Sequence, residues 1–407
     1  MRIALLGVDR EVMPVAAAIA GSSEHVLAGI CLDSSAGGAA SGHLEEVRRL
    51  APMARIVEGW ESLLSDELAE AVVVARSGQG DLRDEQLRKL VGQAVPLLLM
   101  HPACDLMMHY ELEMIARESG GILVPYLPAR SHPAVRELLL LMQGDSPPGE
   151  TRAVQPERVE QVILERNVGG RSRDEVWRQF AVDVDLLRAV AGELVRIAGM
   201  AGAETESDSA NLSVQMVASS GTLVRWNTAP LEGDLEARLS IAGRRQKWEL
   251  LMPAAGPWRL EMRGQASAES PSREYEQPLP SLALEQFSRA VAGRPTDVTW
   301  PDATRSMEVI DGLQKSLAKG RTVNVGAEEA SEESAFKSAM TSLGCGILML
   351  GAVLVVVTAV AQWVAARAGM RGLAGILGQW PLLLLAVLAV FLILQLLRLI
   401  IPTKSER

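Results

Sequence analysis

Two long uncharged apolar stretches close this chain. No charged side chain occurs between Lys337 and Arg367, and none between Arg371 and Arg398. A bilayer core needs about 20 mostly apolar residues per helix, and residues 343–366 and 380–401 both reach that length. The expected layout is therefore a water-soluble body over 1–325, an acidic linker at 326–341, and transmembrane helices at 342–366 and 379–401. Membrane lipid is the expected partner of this hairpin. Neither span carries a charge at its middle, which argues against a transport pathway. The apolar run at 3–8 stops at Asp9-Arg10-Glu11 and is too short for a secretory signal. Two spans then leave the soluble body on the cytoplasmic side.

Formal net charge is −10 over 407 residues, which excludes a nucleic-acid-binding surface as an expectation. The cysteines are Cys31, Cys104 and Cys345. Their scatter indicates neither a disulfide framework nor a zinc site, and no His/Cys/Asp cluster has metal-ligand spacing.

The first ~125 residues alternate strand and helix, as a parallel sheet requires. Strands are expected at 3–8, 25–32, 71–75, 96–100 and 122–125. Such continuous apolar runs suit strands buried on both faces. Helices are expected at 12–20, 44–50, 84–91 and 106–119. Right-handed crossovers make this order a doubly wound sheet. Beyond Gly144 period-two alternation takes over at 151–166, 211–217, 222–227, 235–242, 247–252 and 258–263, with helices at 182–197, 282–292 and 301–318 and a polar loop at 264–280. The second part, 126–325, therefore reads as an α+β domain with an open, mostly antiparallel sheet.

A strand, a glycine, a helix and an acid about 20 residues on is the layout of a dinucleotide site. Gly7 ends the first strand and Asp33 the second. In Gly7-Val8-Asp9-Arg10-Glu11-Val12, however, Asp9 and Val12 stand where the fingerprint has its second and third glycines. Asp9 brings a negative charge toward the place of a pyrophosphate, and like charges at 4 Å repel by roughly 1–4 kcal/mol. Arg10 offsets this if it turns to the phosphates. The other reading of Asp9 is a helix cap with no nucleotide bound.

Several segments in order resemble the Gfo/Idh/MocA family of NAD(P)-dependent oxidoreductases. AVVVARSGQGD, LLLMHPACDL, RSHPAVREL, VDVDLLRAVAGELV and ALEQFSRAVAGRPTDVTWPDATRSMEVIDGLQKSLAKGRTVNV carry the likeness, which covers most of 1–325. The resemblance implies a Rossmann domain over 1–125 and a substrate and dimerisation domain over 126–325. It also implies a homo-oligomer formed through the second-domain sheet. Cofactor-binding candidates are then Gly7, Val8, Asp9, Arg10, Asp33, Ala75, Arg76, Ser77, His101 and Pro102. NAD is favoured over NADP, since Asp33 would repel a 2′-phosphate.

The family's catalytic groups do not carry over. The lysine of its E-K-P motif falls on His101 and the glutamate on Met100, leaving only Pro102. Its D-x-G-x-H-x-x-D stretch, aligned through Asp185, puts Arg178 at the first aspartate and Val182 at the histidine. Hydride transfer at a carbon bearing oxygen needs a proton donor or acceptor on that oxygen. Val182 offers none, and Arg178 stays protonated. Asp183 is turned about 100° from Val182 on the helix and does not replace it. His109 and His132 read as surface or interface residues. The expectation is a membrane-anchored, catalytically degenerate protein of this fold, acting as a nucleotide-binding or scaffold module. The alternative is an active NAD(P)-dependent oxidoreductase on a sugar-like or cyclitol-like substrate, with His101 as acid and base.

Overall fold

The computed structural model describes residues 1–326, apart from 33–38, 58, 65–66, 78–79, 145–157, 170–171, 203–210 and 265–271. Beyond 326 it describes only Val357, Val360, Ala361, Trp363, Val364 and Arg367, all helical. Residues Met1–Gly326 form one compact unit and Ala327–Arg407 another.

The chain opens as β1 (Arg2–Leu6), α1 (Met13–Ala20), β2 (Val26–Cys31), α2 (Ala39–Leu50), β3 (Arg55–Val57), β4 (Ala71–Val74), α3 (Asp81–Gly92), β5 (Leu97–Met100), α4 (Leu106–Ser119), β6 (Leu123–Tyr126) and α5 (Pro133–Gln143). The six strands form one parallel sheet in the order β3-β2-β1-β4-β5-β6. Every residue of β4 and β5 is buried, the reason their sequences are unbroken apolar runs. Helices α1 and α2 cover one face, where Ile3, Ile19 and Phe287 share a core. Helices α3 and α4 cover the other, where Leu6, Leu87, Leu112 and Trp300 pack together.

The chain continues as β7 (Val159–Arg166), α6 (Arg173–Ala191), β8 (Leu194–Ala201), β9 (Leu212–Ala218), β10 (Leu223–Thr228), β11 (Leu235–Gly243), β12 (Gln246–Pro253), β13 (Trp258–Gly264), β14 (Ser272–Tyr275), α7 (Leu279–Val291), α8 (Trp300–Lys319) and β15 (Val323–Asn324). These nine strands make a second sheet, β14-β13-β12-β11-β7-β10-β9-β8-β15, antiparallel except for the β7–β10 pair. Its inward residues, Trp226, Leu239 and Trp248 among them, pack with Phe180 of α6 and Leu313 of α8. On the open face Arg238 reaches Glu165 at 3.7 Å and Glu249 at 3.5 Å. Helix α7 packs on α1, bringing Phe287 back to the first sheet.

The helix expected at 182–197 is displaced. It begins after Ser172, whose Oγ accepts from Glu175 N at 3.3 Å, and ends at Gly192 (φ +87°). The chain then enters β8, where Leu194 and Ile197 turn inward. The loop expected at 264–280 contains β14, an edge strand held by backbone pairing to β13. Three further elements were not expected: β3, α5 and β15. Among the described residues no helix is long and apolar enough to cross a membrane. Apart from the six helical residues named above, the expected linker and both expected spans lie outside the described residues.

Candidate functional site

In an open α/β sheet, ligands sit outside the carboxyl ends of the strands where strand order reverses. Here that switch point falls between β1 and β4. A cleft of about 1230 Å³ opens there, lined by Asp9, Glu11, Arg76 and Ser77 on one side and by Trp177, Arg178 and Met307 on the other. Arg10 and Pro102 also line it. Gly7, Val8, Ala75 and His101 do not, and Asp33 lies outside the described residues.

Gly7 makes the turn out of β1. Its φ is +84°, and a Cβ there would lie 2.9 Å from Ser77 Oγ and 3.1 Å from Arg83 Nη2. Its N–H donates to the Cys31 carbonyl at 2.8 Å. The glycine is thus required by the fold itself, whether or not a ligand approaches.

Asp9 settles into this turn as an internal anion. Its Oδ1 accepts from Glu11 N at 3.0 Å and Val12 N at 2.9 Å, and its Oδ2 accepts from Ser77 N at 2.8 Å. These bonds lie in the turn before α1, whose own N-cap, Val12, has no side-chain cap, and the bond to Ser77 reaches beyond that turn. The Asp9 carboxylate thus takes three backbone donors in the turn where the sequence pattern expects a phosphate. Arg10 has no ion pair to Asp9 among the described contacts. Arg76 and Arg178 instead flank Glu11, at 2.9 and 2.6 Å. Burial pushes the Arg76 guanidinium down to about 10, against the pull of Glu11 and Asp9. It stays charged at neutral pH.

His101 is placed behind the cleft. It is 2% exposed, its Nε2 has no partner among the described residues, and its carbonyl accepts from Arg76 Nη2. Burial, with His109 and Arg76 adding to it, holds its pKa well below the usual histidine range. A buried ring behind the cleft lining exchanges a proton only with a group that reaches it past that lining. The His101–Pro102 bond is cis.

His109 and His132 are buried, which corrects their reading as surface residues. His109 stacks on Trp300 with ring centres 4.4 Å apart, and His132 on Trp258 at 4.0 Å. His109 does join an interface, that of α4 with α8.

On α6, Arg178 faces the cleft through its bond to Glu11. Val182 packs against Leu127, Val298 and Ala303. Asp183 points into the second core, where Arg166 Nε donates to its Oδ2 at 2.9 Å and Trp226 Nε1 donates to the same oxygen at 2.8 Å. Asp185 accepts from Arg130 Nε at 3.2 Å. Burial pushes its carboxyl up to about 6, with Arg130 pulling back. Both aspartates are structural partners of arginines, Asp183 of buried Arg166 and Asp185 of half-buried Arg130.

Sequence reasoning missed Arg83, a buried arginine in the first turn of α3 whose Nη2 donates to the Ser77 carbonyl at 2.6 Å. It also missed Glu11, the centre of the arginine pair. Its position in the expected phosphate turn was the only signal. Among the described residues no group of His, Cys, Asp and Glu is arranged to hold a metal ion.

The chain matches no protein-family profile and no curated protein. Solved structures do resemble it. A putative myo-inositol dehydrogenase from Sinorhizobium meliloti 1021 is 17% identical, with TM-score 0.60, covering 80% of this chain and 100% of that one. A UDP-N-acetylglucosamine 3-dehydrogenase from Acidithiobacillus ferrooxidans is 18% identical, with TM-score 0.62, covering 78% and 97%. An oxidoreductase from Agrobacterium radiobacter, in complex with NAD+, L-tartaric acid and magnesium, is 14% identical, with TM-score 0.63, covering 80% and 98%. The body of this chain therefore shares the two-sheet fold of these oxidoreductase structures.

Proposed function

We infer that this chain is a membrane-anchored protein in which the oxidoreductase fold serves as a non-catalytic binding or scaffold module. The observation that carries this is Asp9. Its carboxylate takes the N–H groups of Glu11, Val12 and Ser77, so a pyrophosphate would have to displace a bonded anion of its own sign. That repulsion disfavours a dinucleotide at this turn. Three further residues argue against redox chemistry: His101 does not line the cleft, Arg178 is paired with Glu11, and Val182 is apolar. The two uncharged stretches at 342–366 and 379–401 support anchoring, with the body on the cytoplasmic side. A homo-oligomer through the open face of the second sheet would be a polar contact, given the Arg238, Glu165 and Glu249 cluster there.

The second reading, an active NAD(P)-dependent enzyme on a sugar-like or cyclitol-like substrate, draws on the structural neighbours, one of which is a complex with NAD+ and another a levoglucosan dehydrogenase with NADH. If nucleotide binds, Asp33 favours NAD over NADP. Calorimetric titration of the full chain with NADH and NADPH separates the readings. The parent is expected to show no binding, and Asp9→Gly to gain it. Tight NADH binding by the parent, with turnover of a polyol or keto-sugar, would replace the scaffold reading with the enzymatic one.

A further inference from the structure

Helix α4 is apolar on two sides, which a helix on the surface of a soluble body ordinarily is not. Met108 and Leu112 enter the core beside Leu87 and Trp300. Met107, Tyr110 and Met114 stand on the outer side, 74%, 39% and 61% exposed. Their spacing of three and four places them within a roughly 60° arc of the helix. Two of the carboxylates beside them are paired, Glu111 with Arg88 at 2.7 Å and Glu113 with Arg117, and a third, Glu308, meets Tyr110.

The body ends beside this stripe. Tyr110 Oη donates to Glu308 Oε1 at 2.6 Å. Gly326, the last residue of the body, has the other Glu308 oxygen 3.5 Å from its Cβ position. The chain thus leaves the body beside the α4 stripe, and the linker at 326–341 spans at most roughly 50 Å when fully extended. We propose that the outer face of α4, centred on Met107, Tyr110 and Met114, rests on the bilayer surface. This rests on the anchoring of 342–401 inferred above. A phenol among flexible apolar side chains suits the headgroup region, and the Glu308 carboxylate beside it favours a zwitterionic over an anionic bilayer.

The test is oxidative footprinting of the full chain in phosphatidylcholine vesicles, with methionine sulfoxide read by mass spectrometry after dilute peroxide. Met53 is the internal standard: it is 88% exposed and follows α2, on the opposite face of the first sheet. The vesicles should carry the protein on flotation, and Met107 and Met114 should oxidise at least about fivefold more slowly than Met53. That protection should persist when the protein is diluted about tenfold in lipid. Protection that disappears on lipid dilution would assign the stripe to a second copy of the chain and overturn the proposal. Equal oxidation rates in floating vesicles would overturn it while leaving anchoring intact. Failure to float would remove the anchoring reading, and this face with it.

Discussion

Glu11 and Arg178 stand 167 residues apart in sequence and 2.6 Å apart in space. The pair ties the turn after β1 to the middle of α6, across the mouth of the cleft. Arg76 closes the arrangement from the turn after β4, 2.9 Å from the other Glu11 oxygen. Asp9, Glu11, Arg76 and Arg178 are thus held by internal bonds at one end of the cleft.

Replacing Asp9 with asparagine isolates the charge from the geometry. The amide keeps one acceptor oxygen, whereas the carboxylate uses both on three N–H groups. Losing part of that set costs about 1–3 kcal/mol, and the thermal midpoint should fall by several degrees. An unchanged midpoint would mean that these bonds contribute nothing net.

Asp183 separates a structural aspartate from a catalytic one. Its substitution by alanine leaves the Arg166 guanidinium buried without its carboxylate and Trp226 Nε1 without an acceptor. Breaking a buried pair from one side costs about 3–5 kcal/mol. Denaturant unfolding of Asp183→Ala should show that loss in midpoint. A stable variant altered only in ligand binding would return Asp183 to the cleft.

The parallel sheet was legible because its strands are buried on both faces, so β4 and β5 read as unbroken apolar runs. β3 was not: three half-exposed residues at a sheet edge leave no periodic trace. The same holds for β14, whose exposed side chains hide a strand fixed by backbone bonds to β13. The α6 error was local. Ser172-Arg173-Asp174-Glu175 carries a capping signal and Gly192 a stop, yet the apolar pattern continues through Val195 and Ile197 into β8, masking the boundary.

The site was legible in outline and not in its bonds. Gly7, Asp9, Arg76 and Ser77 converge as the strand order requires. Which reading of Asp9 applies depends on Ser77, 68 residues away, a contact that no local pattern encodes. His101 was a candidate by alignment, but rotation of a strand-end side chain into the interior has no sequence signature. The buried arginines Arg83 and Arg166 are likewise recognisable only once their partners are in place.

Acid should destabilise the body well before the carboxylates protonate. Burial holds His109 and His132 at about 4, below their ordinary 6.5, and His101 is lowered as well. The unfolded chain takes up these protons first. Their contribution is full above about pH 6.5 and is lost as pH falls from there toward 4, by up to roughly 3 kcal/mol for His109 and by less for His132. Asp185 works the other way: its carboxyl, raised to about 6, protonates first in the folded chain and adds stability as pH falls toward 4. The histidines outnumber it, so the denaturation midpoint should drop between pH 6.5 and 4.5. His109→Phe, which keeps a ring against Trp300, should flatten that slope. An equally steep slope in the variant would show that His109 does not titrate in this window.

Gly7→Ala tests whether the turn after β1 is held by the fold independently of any ligand. The added methyl meets Ser77 Oγ at 2.9 Å and Arg83 Nη2 at 3.1 Å, on a backbone with φ +84°. A left-handed conformation alone costs a residue with a Cβ about 1–2 kcal/mol, and displacing Arg83 disturbs its bond to the Ser77 carbonyl. Ser77 is also the residue whose N–H Asp9 holds, so the strain is transmitted to the internal anion. The two changes share that partner and should couple: in the Asp9→Asn background, Gly7→Ala should cost about 0.5–1 kcal/mol less than in the parent. Strict additivity in a double-mutant cycle of unfolding free energies would mean that Gly7 and Asp9 act on the turn separately, and the glycine would then serve β1 and β2 alone.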